Sequence, residues 1–304
     1  MDILTKRSAK PFIKWAGGKT QLITQIETHL PKELLANRNI TKYVEPFLGG
    51  GAIFFWLSNL YEFDEIYLYE INAELVNCYR VIKDTVDDLI EELSKLEESY
   101  IMLDDSGRKQ FYYERRDEYN RLVSDGNYDD NIRRAALLIY LNKTCFNGLY
   151  RVNSKNEFNV PHGRYKNPKI CDEGNLRAVN NALERAEIYN ADFSQCKDNV
   201  DSSSFVYFDP PYRPLSKTAS FTSYSQNIFS DSEQIRLKDL YKELDDEGAF
   251  LMLSNSDPKN NDETDNFFDD IYSDYKIERL NATRMINCNA EKRGSIKEIL
   301  VTNY

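Results

Sequence analysis

Asp209 is followed by two prolines that restrict the conformation of the backbone around it. The tetrapeptide Asp209-Pro210-Pro211-Tyr212 directly follows the apolar run at residues 205–208, which is typical of a buried strand. Each proline fixes its own φ at about −65° and restricts the residue before it. The turn therefore holds a carboxylate, a backbone carbonyl and an aromatic ring in a fixed relation, which suits a planar amine. A strand that simply ends at two prolines is the alternative.

A glycine-rich turn is a second candidate site. Phe47, Gly49 and Gly51 follow a predicted strand and precede an apolar, helix-like segment. Glycine lets backbone approach a ligand closely, and a helix start offers amide donors. Glu70 ends the next predicted strand roughly 20 residues on, where an acid can bind ribose hydroxyls. The third glycine of the pyrophosphate fingerprint is missing, which favours an adenosyl ligand without a diphosphate.

The segment ending in Gly17-Gly18-Lys19-Thr20 imitates the end of a phosphate-binding P-loop. That motif requires a glycine five positions before Gly18, where Ile13 stands, so an NTPase is not favoured. Trp15 and Lys19 can instead lay a ring and an ammonium group against a charged small ligand. The alternatives are that Trp15 is core and that Lys19 is a surface charge at a helix start.

Asp192 and Phe193 follow a further predicted strand. Asp192 is placed to accept a hydrogen bond from an adenine amine while Phe193 packs on the ring, or else to cap a helix. Residues 218–224 are rich in hydroxyl and aromatic side chains. That composition fits a loop that closes over a bound base, or a plain surface loop.

Charge is distributed unevenly along this acidic chain, whose net charge is −11. Residues 83–105 contain two lysines and nine acids, whereas residues 133–169 contain eight basic residues and one acid. Aromatic residues interleave with the basic ones. A basic segment on an acidic body is typical of a protein that meets phosphates on one face.

Within this segment, Arg151 is placed to pair with a guanine, and Phe146 or Leu149 to wedge between bases. Packing of a small domain is the alternative for each of them.

Composition excludes several classes of protein. The 304 residues are 41% hydrophobic, enough for a real core, but no run approaches the roughly 18 apolar residues of a membrane span. Five scattered cysteines and two histidines predict neither a disulfide framework nor a metal site. The first eight residues lack a signal-peptide pattern, so we expect a cytoplasmic protein.

The elements that must position these residues alternate between strands and helices. Strands are predicted at residues 43–47, 65–69, 186–189, 205–208, 248–254 and 298–302, and helical patterns at 52–57, 84–122, 133–141 and 232–244. Residues 142–171 predict ordered loops or a hairpin, and residues 256–270 a flexible surface loop. The pattern indicates an α/β, doubly wound sheet. We expect one discontinuous domain, residues 1–77 and 172–304, with a helical insertion at 78–171.

Together these motifs resemble the Dam-like DNA adenine N6-methyltransferase family of the D12 class, in its α-type motif order. The matching segments are residues 12–19, 45–52, 68–72, 147–153, 158–166, 192–193 and 209–212. The resemblance implies a Rossmann-like methyltransferase domain with an inserted DNA-recognition domain. It also implies S-adenosylmethionine as cofactor, duplex DNA as partner and adenine, often within GATC, as target.

The resemblance assigns roles to the matching positions. Cofactor-binding positions are Trp15, Lys19, Phe47, Gly49, Gly51, Glu70, Asp192, Phe193 and Asp209. The catalytic turn comprises Asp209, Pro210, Pro211 and Tyr212. DNA-contacting positions are Lys14, Phe146, Asn147, Leu149, Arg151, Pro161 and Tyr165. Relatives commonly have aspartate at the position of Glu70, and some have tyrosine at that of Phe146.

In the implied reaction, the adenine amine donates hydrogen bonds to Asp209 and to the Pro210 carbonyl. Tyr212 stacks on the base, which is extruded from the duplex. No metal or membrane is expected, and a cognate restriction endonuclease is a candidate partner. Two other functions stay open: a sequence-specific DNA-binding protein without turnover, and methylation of RNA or of a protein amide.

Overall fold

A computed structural model of the chain describes residues 8–19, 22–126, 131–213, 229–283 and 295–304. Its centre is a seven-stranded sheet in the order β3-β2-β1-β4-β5-β7-β6. The strands are β1 (Asn39–Glu45), β2 (Glu62–Glu70), β3 (Ala186–Asn190), β4 (Ser204–Phe208), β5 (Phe250–Ser256), β6 (Lys276–Thr283) and β7 (Ser295–Thr302). Strands β1 to β5 pair in parallel, whereas β7 runs antiparallel to both β5 and β6. The predicted α/β doubly wound sheet is confirmed.

The central strand β4 shows why the sequence forms this sheet. All five of its residues are buried, because parallel strands are covered on both faces and therefore read as continuous apolar runs. From the centre, the strands run outward as β1, β2 and β3 on one side and as β4, β5, β7 and β6 on the other. The carboxyl ends of β1 and β4 therefore flank the point where the winding reverses, which is where open α/β sheets bind ligands.

Ten α-helices lie within the described residues. They are α1 (Ile23–Glu27), α2 (Lys32–Asn37), α3 (Ala52–Ser58), α4 (Ala73–Asp84), α5 (Val86–Ile101), α6 (Asp105–Ser124), α7 (Asn131–Thr144), α8 (Glu173–Leu183), α9 (Asp231–Asp246) and α10 (Phe267–Ile271). Helix α7 packs against α4, α5 and α6 and is buried along most of its length. The helical patterns predicted near residues 52–57, 133–141 and 232–244 correspond to α3, α7 and α9.

Two predicted segments differ from the structure. The single helical pattern at residues 84–122 is two helices, α5 and α6, and Asp104 caps the second by accepting a hydrogen bond from the Gly107 amide at 2.7 Å. The surface loop predicted at residues 256–270 is correct for the exposed middle of the stretch and wrong at its two ends, where Asp257 is buried and α10 begins and buries Phe268. Arg279 binds both Asp257 and Asp269 and so fixes the stretch against the sheet.

Strand β6 is absent from the sequence prediction, and β1 ends at Glu45, so that Phe47 belongs to the turn after it. The connection from Cys145 to Cys171 is largely irregular, as predicted, with isolated bridges between Cys145 and His162 and between Val152 and Phe158. The division into domains at residues 77 and 171 stays a prediction.

Candidate active site

The Lys19 side chain forms an ion pair with Asp209, the residue that directly follows β4. The Lys19 side chain is 2% exposed, and its Nζ atom lies 2.7 Å from Asp209 Oδ1. It also lies 3.2 Å from Glu298 Oε2 on β7 and donates a hydrogen bond to the Tyr212 hydroxyl. We call these four residues the Lys19 cluster. The alternative that Lys19 is a surface charge is therefore wrong.

The electrostatics of this cluster follow from burial and pairing. Burial alone would lower the pKa of Lys19, but Asp209 and the other acidic groups nearby raise it well above its usual value. Burial raises the pKa of Asp209, and the Lys19 ammonium opposes that rise. Lys19 therefore stays charged, and Asp209 is ion-paired rather than isolated.

A hydrogen-bond chain between neighbouring strands positions the Asp209 carboxylate. Ser254 on β5 donates from its hydroxyl to Asp209 Oδ1 at 3.3 Å. The Tyr207 hydroxyl lies 2.9 Å from the same Ser254 oxygen. Parallel pairing of β4 with β5 brings these groups together, so the acid is fixed by the sheet itself.

The turn that follows Asp209 is held from α9. Gln234, fully buried, donates from Nε2 to the Pro211 carbonyl at 3.3 Å, and Asn255 donates to Gln234 Oε1 at 3.4 Å. Pro210 is buried, whereas Pro211 and Tyr212 are exposed. The turn therefore presents the Tyr212 ring, which is 37% exposed, beside the Lys19 ammonium, 4.4 Å from the ring centroid.

Arg213 anchors the chain on the far side of the turn. Its guanidinium binds both oxygens of Asp231, in the first turn of α9, at 2.6 and 3.0 Å. It also donates to Asp265 at 2.6 Å and lies 4.3 Å from the Phe267 ring centroid. The predicted base-covering loop at residues 218–224 lies outside the described residues.

The glycine turn after β1 has the conformation that its glycines permit. Gly49 and Gly51 have φ values of 48° and 69°, in the left-handed region. A Cβ atom on Gly51 would lie 2.7 Å from the Tyr79 hydroxyl and 2.8 Å from the Phe55 ring. Only glycine fits this position, since the turn packs directly on the side chains beneath it.

Glu70 ties the glycine turn to the end of β2. Its Oε2 atom accepts a hydrogen bond from the Gly49 amide at 2.9 Å, and its Oε1 atom accepts one from the Asn72 amide at 2.8 Å. Burial raises the pKa of Glu70, and these amide bonds oppose the rise. Trp15 packs over the same turn and stacks on Tyr150, with ring centroids 4.8 Å apart. Trp15 is half-buried, so it is not simply a core residue.

Asp192 has two partners. It accepts hydrogen bonds from the Ser194 amide at 3.0 Å, as the capping alternative predicts, and from Arg236 at 2.7 and 2.9 Å. Arg236 lowers the pKa of Asp192 and lies 4.0 Å from the Phe193 ring centroid. Phe193 in turn stacks on Phe47 at 5.1 Å, which places the β3 end beside the glycine turn.

Several of the residues predicted to contact DNA lie close to one another beyond the end of α7. The Asn142 side chain hydrogen-bonds to the backbone of both Lys14 and Gly148 and so connects the two segments that carry these residues. Phe146 is 52% exposed, and its amide donates to the Pro161 carbonyl at 2.8 Å. Lys14 lies 5.8 Å from the Tyr165 ring centroid.

The other residues predicted to contact DNA differ in exposure. Asn147 is exposed with φ at 57°, whereas Leu149 is half-buried against the core. Arg151 is exposed and donates to Asn159 at 2.7 Å.

Part of the basic segment faces inward, contrary to the prediction of one phosphate-facing stretch. Arg133 is paired with Glu92 and Glu118, and Arg134 forms a buried pair with Glu74. These arginines join α7 to the helices around it. Their charge therefore stabilises the helical packing and is not available to phosphates.

Sequence reasoning did not identify Glu298, Gln234 or Arg236 as site residues. Each lies on an element whose local pattern indicates only a strand or a helix. The contact of Glu298 with Lys19 joins the two ends of the chain, so no nearby spacing could have revealed it.

No group of three His, Cys, Asp or Glu residues in the described ranges could hold a metal ion. None of the described helices is long and apolar enough to cross a membrane.

The reversed β7 beside β5, together with an Asp-Pro-Pro-Tyr turn and a glycine turn at the switch point, defines the fold of S-adenosylmethionine-dependent methyltransferases. The family model for D12 class N6 adenine-specific DNA methyltransferases matches residues 15–286. The chain belongs to this family, and the predicted adenine-specific DNA methyltransferase is confirmed at that level.

Curated relatives are similar in sequence to nearly the whole chain. The chain is 53% identical to the type II methyltransferase M.MjaIII of Methanocaldococcus jannaschii, covering 97% of this chain and 99% of the relative. It is 39% identical to the type II methyltransferase M1.LlaDCHI of Lactococcus lactis, covering 100% and 99%. It is 35% identical to the DNA adenine methylase of Haemophilus influenzae, covering 97% and 94%.

Proposed function

We propose that this methyltransferase transfers a methyl group from S-adenosylmethionine to the N6 atom of an adenine extruded from duplex DNA. The observation that carries the proposal is that two turns follow neighbouring strands at the switch point, where open α/β sheets have their ligand crevice. The Asp209 turn follows β4, and the glycine turn follows the neighbouring strand β1. One turn offers acceptors for an amine, and the other offers backbone room for an adenosyl group.

The residues of the crevice fit this cofactor. Gly49 and Gly51 give the turn a left-handed backbone conformation, of the kind that lets backbone approach a ligand closely. Trp15, Phe47 and Phe193 supply apolar surface, and Glu70 and Asp192 supply carboxylates at the ends of β2 and β3. When bound, the cofactor would supply an electrophilic methyl group. Lys19 and Asp209 would adjoin it.

The protein's contribution to the chemistry is alignment. The lone pair of an exocyclic adenine amine is delocalised into the ring. Hydrogen bonds from the amine to Asp209 and to the Pro210 carbonyl would direct the lone pair outward. Tyr212 would stack on the base, which must leave the duplex before it can react. Holding the reactants in line supplies most of the rate in such transfers.

DNA would bind on the face that carries Lys14, Phe146 and Arg151. Arg151 would read a guanine through paired hydrogen bonds, and Phe146 would enter the base stack. Asn147, Leu149, Pro161 and Tyr165 complete this face. We assign residues 78–171 as the recognition domain and residues 1–77 and 172–304 as the catalytic domain. We place the enzyme in the cytoplasm.

We propose GATC as the target. Two of the relatives carry the name type II methyltransferase, so a restriction endonuclease is the partner to test. Sequencing of methylated adenines in DNA from expressing cells tests the target directly. N6-methyladenine confined to GATC supports it, and another motif contradicts it. Transfer to RNA or to protein but never to duplex DNA would overturn the function itself.

A further inference from the structure

Glu298 is a buried acid whose charge faces Lys19. Its residue is 8% exposed, and its Oε2 atom lies 3.2 Å from Lys19 Nζ. Within the described residues this Oε2 atom has no hydrogen-bond partner. The register of β7 between β5 and β6 places Glu298 opposite Ser256 and Leu280, so the sheet fixes its position. Its contact with Lys19 is therefore ionic and specific.

The Lys19 cluster contains more negative than positive charge. Lys19 carries one positive charge, while Asp209 and Glu298 carry one negative charge each. Nearby Glu45 is left out of this count, because burial raises its pKa well above its usual value, although the hydrogen bond from Tyr43 opposes that rise. The described part of the cluster thus has a net charge of −1. An unmatched buried charge is unfavourable unless a partner of opposite sign arrives.

We propose that Glu298 supplies the negative charge by which this site prefers the cationic methyl donor to its neutral product. Lys19 is compensated by Asp209 at the shorter distance, so the charge of Glu298 is the one left for a cationic ligand. The inference rests on the proposed use of S-adenosylmethionine, whose sulfonium is positive. The product S-adenosylhomocysteine is a neutral thioether and gains nothing from this charge.

The same charge bears on turnover. Methyl transfer removes the positive charge from the sulfur, so the product loses the attraction that held the donor. A site with an excess carboxylate therefore binds the donor and releases the product. Glu298 acts through the charge of the cluster and not by contact with the reacting amine, which makes it a residue of cofactor selectivity.

The test measures dissociation constants by calorimetry for three ligands: S-adenosylmethionine, S-adenosylhomocysteine and sinefungin, an analogue with an ammonium group in place of the sulfonium. In Glu298→Gln, which keeps the shape and removes the charge, we expect affinity for both cationic ligands to fall about tenfold. Affinity for S-adenosylhomocysteine should change less than about twofold. Glu298→Asp, which keeps the charge, should retain the wild-type preference.

Glu278→Gln on the neighbouring strand β6 is the matched control. Glu278 is half-exposed and paired with His29 and Lys276, away from the cluster, so no affinity should change. Equal loss for all three ligands in Glu298→Gln would show a structural role and overturn the inference, as would no loss. If that variant does not fold, loss of the preference in Glu298→Asp overturns it instead. Failure of the unaltered protein to bind any of the three ligands would refute the proposed cofactor itself.

Discussion

At the scale of single residues, the acids at the ends of the strands differ in their pKa because their burial and their bonding partners differ. Asp209 is largely buried but ion-paired with Lys19, Glu70 is held by backbone amides, and Asp192 is bound by Arg236. Glu45 has a neutral partner, the Tyr43 hydroxyl, at 2.7 Å. Burial raises the pKa of Glu45, against the opposing effect of the Tyr43 hydrogen bond, while its neighbours are paired.

Glu45 gives a prediction about stability and pH. Because its pKa is raised by folding, the folded protein holds a proton that the unfolded chain has released above about pH 4.5. Stability therefore falls as pH rises through this window, by at most about 1.4 kcal/mol per pH unit. Glu45→Gln should remove this dependence. Urea unfolding between pH 5 and pH 8 should give free energies that diverge in favour of the variant as pH rises.

The control is Glu62→Gln on the exposed start of β2, which should leave the pH dependence of unfolding unchanged. If Glu45→Gln and the unaltered protein lose stability in parallel with pH, Glu45 is ionised in the folded state and its assignment as a neutral acid is wrong.

At the scale of elements, the sequence predicts what burial dictates locally. Strand β4 was predictable because all five of its residues are apolar or small and buried on both faces. Strand β6 was not, since Lys276 and Arg279 interrupt its apolar residues at the edge of the sheet. The inward pairing of Arg133 and Arg134 was also hidden, because their partners lie on other helices. Residue spacing in the sequence identified the two turns. Which charged side chains face the site depends on packing between distant elements, which spacing does not reveal.

The glycine turn gives a prediction that distinguishes the cost of a strained backbone from the cost of a steric clash with neighbouring side chains. Gly51→Ala forces a left-handed φ on alanine and places its Cβ 2.7 Å from the Tyr79 hydroxyl. Gly126→Ala, with φ at 61° and no atom of the described residues within 4 Å of the added Cβ, is the matched control. The control should cost about 1 kcal/mol of unfolding free energy, and Gly51→Ala at least about 2 kcal/mol, with loss of cofactor binding. Equal costs with cofactor binding intact would show that the turn can move aside.

The Arg213 anchor gives a second prediction at this scale. Arg213→Lys keeps the charge but cannot bind both oxygens of Asp231 or stack on Phe267 in the same way. We expect Tyr212 to be held less firmly and kcat to fall about tenfold, because small misplacements are costly in aligned reactions. Thermal unfolding should change little, since the pair is partly exposed.

Arg177→Lys in α8 is the control for Arg213→Lys, because Arg177 also binds two acids but lies at the surface. Steady-state methyl transfer should not distinguish it from the unaltered protein. An unchanged kcat in Arg213→Lys would mean that the anchor does not hold the turn.

At the scale of the whole molecule, an acidic protein must meet an acidic polymer. Its net charge of −11 repels DNA at long range, so binding depends on one local face. Arg133 and Arg134 are paired inside the helical packing, so the proposed DNA face depends on exposed basic residues such as Lys14 and Arg151. We expect base contacts to supply the specificity, because phosphate contacts position a protein on DNA without reading its sequence.

Arg151→Ala tests this face. Loss of a paired contact to guanine should cost about 1–3 kcal/mol of discrimination at one base pair, without changing cofactor affinity. Competition between duplexes that differ at one position measures the discrimination. Lys155→Ala, exposed in the same connection, is the control and should not alter base preference. A parallel loss of cofactor binding in Arg151→Ala would place this residue in the catalytic half instead.

The most direct test of the proposed function is transfer of a labelled methyl group to duplex DNA by the unaltered protein and by Asp209→Asn. The amide side chain of Asp209→Asn would retain the shape of the turn but would leave Glu298 to neutralise Lys19, so we expect affinity for the donor to fall about tenfold, and the rates are compared at saturating cofactor. We predict N6-methyladenine from the unaltered protein and a rate at least about 1000-fold lower from the variant. Full activity in Asp209→Asn, or label on any acceptor other than adenine N6, would contradict the assignment of this turn as the catalytic site.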